Sequence, residues 1–309
     1  MCVRGGNPAK RVFLLGDESN LLCAKGVADF ADCREFNSNG VAVFDRLFKP
    51  IECERHRYNK LGGTANWLKF VFRRWFLINE FLRCENINSF WTFDSDTLVL
   101  APLAPREKRF SAYAATTQCR DCCLNGFIGS RELVERYTKC MLDLFRDEDY
   151  LVAQRQRLKQ HPGLAFNEMD AFCEFRRREN VRTFHAAQPL DGEFFDDALA
   201  YDANFEASPH KIKNHITVKR LWFNPVGALY ARHLETGRFV RMITANLSWL
   251  PDYVGKKLAR FCLTPAQDAK VKPPVEAELR EVDLSQPLTD KLASALKRRL
   301  FEMKRALGA

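Results

Sequence analysis

The chain has 309 residues, and 46% of them are apolar, which excludes intrinsic disorder and allows a substantial core. Its formal charge is +9, from 48 Lys and Arg against 39 Asp and Glu. This balance favours anionic partners such as nucleotides, nucleic acid or an acidic membrane surface, without choosing among them.

The first ten residues are polar and lack the apolar stretch of a signal peptide, and no apolar run is long enough to span a bilayer. Taken as complete, the sequence predicts a protein that is cytoplasmic or peripheral to a membrane from the cytoplasmic side. Eleven cysteines, an odd number spread over apolar and helical runs, predict reduced thiols rather than a disulfide scaffold. Cys119, Cys122 and Cys123 resemble half of a zinc site, but no second Cys/His pair at zinc spacing follows.

The apolar and polar patterns of the first hundred residues predict strands and one long helix. The predicted strands are residues 11–15, 41–44, 89–93 and 97–100. A polar, turn-rich cluster closes the first of these strands at residues 16–20. Residues 66–82 carry apolar side chains at helical spacing and predict an amphipathic helix with a wide buried face.

Strands and helices continue to alternate further along the chain. Strands are predicted at residues 110–117, 124–128 and 242–249, and helices at residues 132–145, 147–160 and 167–178, the last with Asn167 as its N-cap. Such alternation predicts an α/β fold with a mainly parallel sheet flanked by helices.

The character of the chain changes near residue 250, so we predict one domain over residues 1–250 and an extension over residues 251–309. Residues 266–288 are proline-rich and indicate a linker. Residues 289–307 predict a final amphipathic helix with a basic face. This helix either docks on the domain or lies peripherally on an anionic membrane.

The acidic triplet Asp94-Ser95-Asp96 stands between two apolar strands. Carboxylates at the carboxyl end of a buried strand face the crevice where α/β sheets bind ligands, and burying them unpaired is costly. Hard oxygen ligands suit Mg²⁺ or Mn²⁺, which would neutralise a diphosphate leaving group. The alternative is a turn whose aspartates cap a helix or pair with Arg. A second triplet, Asp147-Glu148-Asp149, lies among polar residues and indicates a solvated helix face.

Residues 72–82 followed by residues 90–99 resemble the GT-A glycosyltransferases, in which an Arg-bearing helix precedes a strand that ends in Asp-x-Asp. Residues 13–20 are similar to the first strand and nucleotide loop of that superfamily, and residues 123–130 to its sugar-side segment. The resemblance spans roughly residues 10–250 and implies a Rossmann-like GT-A fold.

The resemblance implies roles for particular residues of this chain. Asp94 and Asp96 would hold the metal and the nucleotide-sugar. The other implied contacts are with the diphosphate or sugar (Arg74, then Arg73), with the border of the base (Gly16, Asp17, Asn20) and with the sugar pocket (Asn125, Gly126). The alternatives are a surface arginine, a simple turn and a strand-end glycine.

Two further assignments stay open at this point. Glu168 and Asp170 match the place where these enzymes often put an acidic residue facing the acceptor, where a carboxylate takes the hydroxyl proton in an inverting transfer. At a helix start, either could equally serve the helix dipole. The last metal ligand is His215 or Asn246, and a lone His is more often structural.

The sequence therefore predicts a glycosyltransferase that moves a sugar from a UDP- or GDP-linked donor to a hydroxyl of a glycan, a lipid-linked acceptor or a protein, with Mn²⁺ or Mg²⁺. A sugar-nucleotidyltransferase is disfavoured because the loop after the first strand is acidic. A non-catalytic basic module that binds nucleic acid or membrane is the other alternative. Nucleic acid is not predicted as a partner, since no nucleic-acid-binding motif occurs and the basic residues are spread along the chain.

Overall fold

The computed structural model describes residues 7–8, 10–51, 64–161, 164–200, 204–212 and 216–285. Over these ranges the chain is an α/β protein with mixed β-sheets. His215 and the predicted helix at residues 289–307 lie outside the described residues. In the part of the chain described, no helix combines the length and the apolar character needed to cross a bilayer.

Short strands are distributed along the whole described chain. In chain order they are β1 (Phe13–Gly16), β2 (Asp29–Asp32), β3 (Phe90–Thr92), β4 (Thr97–Val99), β5 (Ala115–Gln118), β6 (Cys123–Ile128), β7 (Thr183–His185), β8 (Glu193–Phe195), β9 (Leu221–Phe223), β10 (Leu229–Arg232), β11 (Phe239–Asn246) and β12 (Arg280–Glu281).

The α-helices differ widely in length. In chain order they are α1 (Leu21–Ala24), α2 (Asn39–Leu47), α3 (Thr64–Cys84), α4 (Arg131–Arg146), α5 (Glu148–Gln160), α6 (Glu168–Glu179), α7 (Asp252–Leu258) and α8 (Pro265–Asp268). Single turns of 3-10 helix lie between several of these elements, and a longer one, Ala104–Phe110, precedes β5.

Most of the predicted elements are confirmed. Their apolar periodicity extends over several turns, or capping and turn residues mark where they begin and end. The helix predicted at residues 66–82 is α3, and the one predicted at residues 167–178 is α6, with Asn167 as its N-cap. The strand predicted at residues 41–44 is wrong: these residues lie inside α2. Val41 and Phe44 are both fully buried, and their spacing of three residues places them on one helix face.

The chain divides into two compact units, and neither is a single continuous stretch. Unit 1 contains the described residues of Val3–Ser95 and Pro102–Gln188, and unit 2 those of Asp96–Ala101 and Pro189–Ala309. This division does not coincide with the domain boundary predicted at residue 250, since residues on both sides of that point belong to unit 2.

Unit 1 contains two sheets. Strands β1 and β2 pair in parallel, and a four-stranded sheet has the order β3-β6-β5-β7. Strand β6 is buried along its whole length because it lies between β3 and β5, with which it pairs antiparallel. Strand β7 pairs with β5 in parallel.

Aromatic side chains form the core of unit 1. Phe72 on α3 is fully buried, and its ring centroid lies 5.1 Å from that of Phe145 and 5.3 Å from that of Phe166. Phe44 stacks on Phe76 at 4.7 Å between centroids. The apolar face of α3 is therefore held by side chains from α2, from α4 and from the segment before α6.

Unit 2 is built on a mostly antiparallel sheet of order β12-β9-β10-β11-β4, with β8 pairing in parallel along β11. Strand β12 falls within the predicted linker at residues 266–288 and pairs with β9, so part of that segment belongs to a sheet. The buried pair of Lys219 and Asp196 lies in this unit, with 2.8 Å between Nζ and Oδ1. Lys219 Nζ also donates to the carbonyl of Ala198 at 2.7 Å.

The prediction of a mainly parallel sheet is not confirmed. Among the described strands, parallel pairing joins β1 to β2, β5 to β7 and β8 to β11, and the other pairs are antiparallel. Alternation of strands and helices favours parallel pairing only where each helix crosses over between neighbouring strands. Here β5 and β6 are joined by a short turn instead, which imposes an antiparallel hairpin.

Candidate functional site

Arg74 on α3 joins two carboxylates from distant parts of unit 1. Its Nη1 donates to Oδ1 of Asp94 at 2.6 Å, and its Nη2 donates to Oε1 of Glu168 at 3.1 Å. We call these three residues the Arg74 cluster. The side chains are 23% exposed for Arg74, 45% for Asp94 and 9% for Glu168, so Asp94 is the member most open to a ligand.

Local structure explains how each carboxylate reaches Arg74. Asp94 follows β3, and Glu168 is the first residue of α6. The hydroxyl of Tyr137, a fully buried residue of α4, donates to the backbone carbonyl of Glu168 at 2.6 Å. Burial raises the pKa of Tyr137, so its hydroxyl stays protonated and keeps this bond. Tyr137 was not singled out from the sequence, where its only signal was its place on the apolar face of a helix.

The charges of the Arg74 cluster are unequal, with one guanidinium against two carboxyl groups. Burial raises the pKa of Glu168, the positive charge of Arg74 opposes this rise, and the charge of Asp94 reinforces it. For Arg74, burial favours the neutral form, but the charges of Glu168 and Asp94 outweigh it and raise its pKa. Oε2 of Glu168 is buried without a hydrogen-bond partner, an arrangement that is costly for a carboxylate and therefore of functional interest.

Asp170 has a different role from Glu168, although the sequence placed both near the acceptor. Its Oδ2 accepts from the backbone N–H of Asn167 at 3.2 Å, which completes a capping box with the Asn167 side chain. Its Oδ1 lies 3.0 Å from Nη2 of Arg157. These contacts commit Asp170 to the start of α6, and its charge only adds to the rise in the pKa of Glu168 that burial causes.

Arg73 also points away from the Arg74 cluster. Its Nη2 donates to Oδ1 of Asn37 at 2.9 Å, and its Nε to Oδ2 of Asp45 at 3.4 Å. Neighbouring residues of a helix lie on different faces, so only one of two consecutive arginines can reach Asp94. Of the two arginines, Arg74 is the one that contacts Asp94, and contact of either with a diphosphate or sugar stays a prediction.

The loop after β1 is held by its own polar side chains. Asp17 caps the following turn, and Oδ1 of Asn20 accepts from the backbone N–H of Asp17 at 3.2 Å. A side chain at Gly16 would place its Cβ 2.5 Å from the same Oδ1, so a larger residue there would displace the Asn20 side chain. These contacts explain the local sequence by turn formation, and a role at the border of a nucleotide base stays a prediction.

Asn125 and Gly126 lie inside unit 1, on the buried strand β6. Nδ2 of Asn125 donates to Oε1 of Gln118 at 2.7 Å, and its Oδ1 accepts from the N–H of Gly126 at 2.9 Å. The amide of Asn125 is thus committed to the sheet, and lining of a sugar pocket stays a prediction. Two residues before Asn125 on the same strand, Cys123 lies close enough to Asp94 and Arg74 for their charges to affect its pKa.

Replacing Gly126 with alanine is expected to destabilise the protein by about 2 kcal/mol, because its φ is +94° and a Cβ would lie 2.3 Å from Oγ1 of Thr116. Gly26→Ala is the matched control, since Gly26 also has a positive φ, of +75°, but no atom within 4 Å of the added Cβ. Urea unfolding should show a larger loss for Gly126→Ala. Equal losses of stability for the two variants would show that the Thr116 side chain moves aside without a measurable cost.

Asp96 belongs to unit 2 and is described within it. Its Oδ2 accepts from the hydroxyl of Ser248 at 2.6 Å, and its backbone carbonyl accepts from the N–H of Leu247 at 2.8 Å. Asn246 is paired with Thr97 across β11 and β4, and its Oδ1 accepts from the N–H of Ser248 at 2.9 Å. The sequence left the last metal ligand open between His215 and Asn246. Of these two, the structure describes Asn246, which lies near Asp96.

Within the described ranges, no group of three or more His, Cys, Asp or Glu side chains is arranged to hold a metal ion. Comparison of the chain with protein-family models, with curated proteins and with solved structures gives no match.

Proposed function

We propose that this protein is a glycosyltransferase of the GT-A type that moves a sugar from a UDP- or GDP-linked donor to a hydroxyl acceptor. The Arg74 cluster carries the proposal. Three residues to which the resemblance gave roles with the diphosphate, the metal and the acceptor come from three separate segments and meet in hydrogen-bond contact. The pairing of Asp94 with Arg74 also fits the alternative of a turn whose aspartates pair with Arg, and the contact of Arg74 with the buried Glu168 of α6 goes beyond that alternative.

Asp94 fits a hard divalent cation by the chemistry of its oxygens and by its exposure. Mg²⁺ in phosphate sites is usually held by one or two carboxylates together with phosphate oxygens of the substrate, so a preformed cage of protein ligands is not required. When bound, Mg²⁺ or Mn²⁺ would neutralise charge on the diphosphate leaving group. The contribution predicted for Asp96 rests on the sequence and is tested separately, by Asp96→Asn.

Arg74 supplies a fixed cationic fork in this proposal. A guanidinium presents several donors in one plane and matches phosphate oxygens well. Two of its donors are held by Asp94 and Glu168, which fix the orientation of the fork before any substrate arrives. Positioning in advance is valuable because less order must be imposed during the reaction.

We assign Glu168 to the positioning of Arg74. Its side chain is only 9% exposed, which suits a residue that supports Arg74 better than one that reaches an acceptor hydroxyl. Proton acceptance from the acceptor is the role that the resemblance gave it, and its raised pKa is compatible with that role as well. The two roles predict different behaviour of the glutamine variant.

Glu168→Gln is expected to keep kcat within about tenfold of wild type, because the amide oxygen still accepts from Arg74. Glu168→Ala removes that acceptor and should lose more. The measurement is kcat and kcat/KM as a function of pH for both variants. A general base would instead lose about 10²–10⁴-fold in kcat on Glu168→Gln, together with the pH limb that reports its ionisation.

The proposal as a whole is tested with a panel of nucleoside-diphosphate sugars, monitored for release of the nucleoside diphosphate with Mn²⁺, with Mg²⁺ and with chelator. Metal-dependent release from one donor class is expected. Binding of these donors that is independent of metal, and that weakens steeply between about 50 and 200 mM salt, would instead indicate a non-catalytic basic module that binds phosphate groups by charge.

A further inference from the structure

Trp249 lies in a backbone conformation that suits a tryptophan poorly. The backbone N–H of Leu250 donates to the carbonyl of Leu247 at 3.0 Å, so Trp249 is the third residue of a β-turn, and its φ is +70°. A left-handed third residue in such a turn is normally Gly or Asn. Most of the described non-glycine residues with a positive φ are Asn or Asp, and Trp249 is the only aromatic residue among them.

Packing within unit 2 does not explain why a tryptophan occupies this position. Trp249 is 66% exposed, so most of its indole lies in solvent and not in the core. A bulky residue in the left-handed region costs stability, and residues of this kind cluster at sites of function. The exposed indole is therefore better explained by contact with a ligand than by folding.

The turn that carries Trp249 is fixed beside Asp96. The N–H of Leu247 donates to the backbone carbonyl of Asp96 at 2.8 Å, and the hydroxyl of Ser248 donates to Oδ2 of Asp96 at 2.6 Å. The N–H of Ser248 donates to Oδ1 of Asn246 at 2.9 Å. All of these residues belong to unit 2, and Asp96 is exposed. An aromatic face and a carboxylate are thus held next to each other by one turn.

We propose that Trp249 is a sugar-binding residue, whose indole stacks on the pyranose ring of a sugar that donates hydrogen bonds to Asp96. This inference rests on the proposed function and adds a binding residue to it. The face of an indole is electronegative and attracts the weakly positive C–H groups of a sugar ring. A carboxylate accepts hydrogen bonds, which suits the hydroxyl groups on the edge of the same ring.

Two molecules can supply such a ring: the nucleotide-sugar donor and a glycan acceptor. A nucleobase also stacks well on an aromatic side chain, but it lacks the hydroxyl groups that suit the neighbouring carboxylate. The chemistry beside Trp249 therefore favours the sugar over the base.

The test measures binding to the full-length chain by calorimetry in the presence of Mn²⁺. The probes are UDP-glucose and GDP-mannose, then UDP and GDP without a sugar, then methyl glucoside and methyl mannoside without a nucleotide. Trp249→Ala should weaken binding of sugar-bearing probes by about five- to tenfold, as expected for one lost stacking contact, and leave binding of UDP and GDP unchanged. Leu234→Ala is the matched control, because Leu234 is an apolar residue of unit 2 with 62% exposure, and it should bind every probe as wild type does.

Trp249→Gly separates a role in binding from a role in folding. Glycine adopts a left-handed φ without strain, so the urea midpoint of this variant should equal or exceed that of wild type. Its binding of the sugar-bearing probes should nevertheless weaken as in Trp249→Ala. A tryptophan that supported the fold would give the opposite result, a lower urea midpoint with sugar binding retained.

Three results would overturn the inference: sugar binding by Trp249→Gly as tight as that of wild type, an equal loss for UDP and GDP, or no binding of any sugar-bearing probe to wild type. A loss confined to the nucleotide-sugars would assign the ring to the donor, and a loss confined to the methyl glycosides would assign it to the acceptor.

Failure of the proposed function gives a different pattern from failure of this inference. If no donor releases its nucleoside diphosphate but sugars still bind in a way that depends on Trp249, the proposed function fails and the sugar site stands. If Trp249→Gly releases nucleoside diphosphate with the KM of wild type for both donor and acceptor, the sugar site fails and the proposed function stands.

Discussion

Replacing Asp94 with asparagine is expected to lower sugar transfer by about 10²–10³-fold, the loss typical when one preorganised electrostatic contact to a developing charge is removed. The amide is nearly isosteric and still accepts from Arg74, so the contact at 2.6 Å can survive while the negative charge is lost. The loss should appear in kcat/KM for the donor, and half-maximal activity should require more Mn²⁺.

The control for this variant is Asp149→Asn, in the second acidic triplet of the chain. Asp149 is exposed in the first turn of α5, and Asp147, two residues earlier, caps that helix. Transfer by Asp149→Asn should equal that of wild type. If Asp94→Asn is as active as Asp149→Asn, with the same Mn²⁺ requirement, Asp94 does not hold the cation and the proposed function loses its main support.

The largest loss of stability is expected for Phe72→Ala, at about 3–5 kcal/mol in the free energy of unfolding. Phe72 is fully buried and contacts aromatic rings from α2, from α4 and from the segment before α6, so truncation leaves a cavity that many elements border. Urea unfolding followed by circular dichroism measures the loss.

Phe70→Ala provides the comparison, because Phe70 lies on the same helix and is 53% exposed. Surface substitutions of this kind usually change stability by no more than about 0.5 kcal/mol. Similar losses for the two variants would mean that the burial of Phe72 in the aromatic core does not account for its effect.

Local features of the fold could be predicted from the sequence because their signals lie within one element. The spacing of Asn167 and Asp170 fits a capping box, and the structure shows one. The apolar periodicity of α3 is long enough to be unambiguous. The prediction of a strand at residues 41–44 is wrong because a run of four apolar residues fits a strand and a buried helix turn equally well.

The contacts of the candidate site could be predicted only in part, because they depend on long-range packing. The sequence placed Arg74 before an acidic motif, but nothing local shows that the start of α6 lies beside it. The separate roles of Glu168 and Asp170 follow from that packing. The pairing of β4 with β11, which assigns Asp96 to unit 2, likewise depends on residues far along the chain.

The passage of the chain through unit 2 at residues 96–101 has a consequence for biosynthesis. Strand β4 pairs with β11, so Thr97 has no partner on that side until Asn246 has left the ribosome. Unit 1 is complete once Gln188 has been made, and we expect it to fold first as the chain is synthesised. During that interval we expect residues 96–101 to lack their partner strand and to offer chaperones an extended apolar segment.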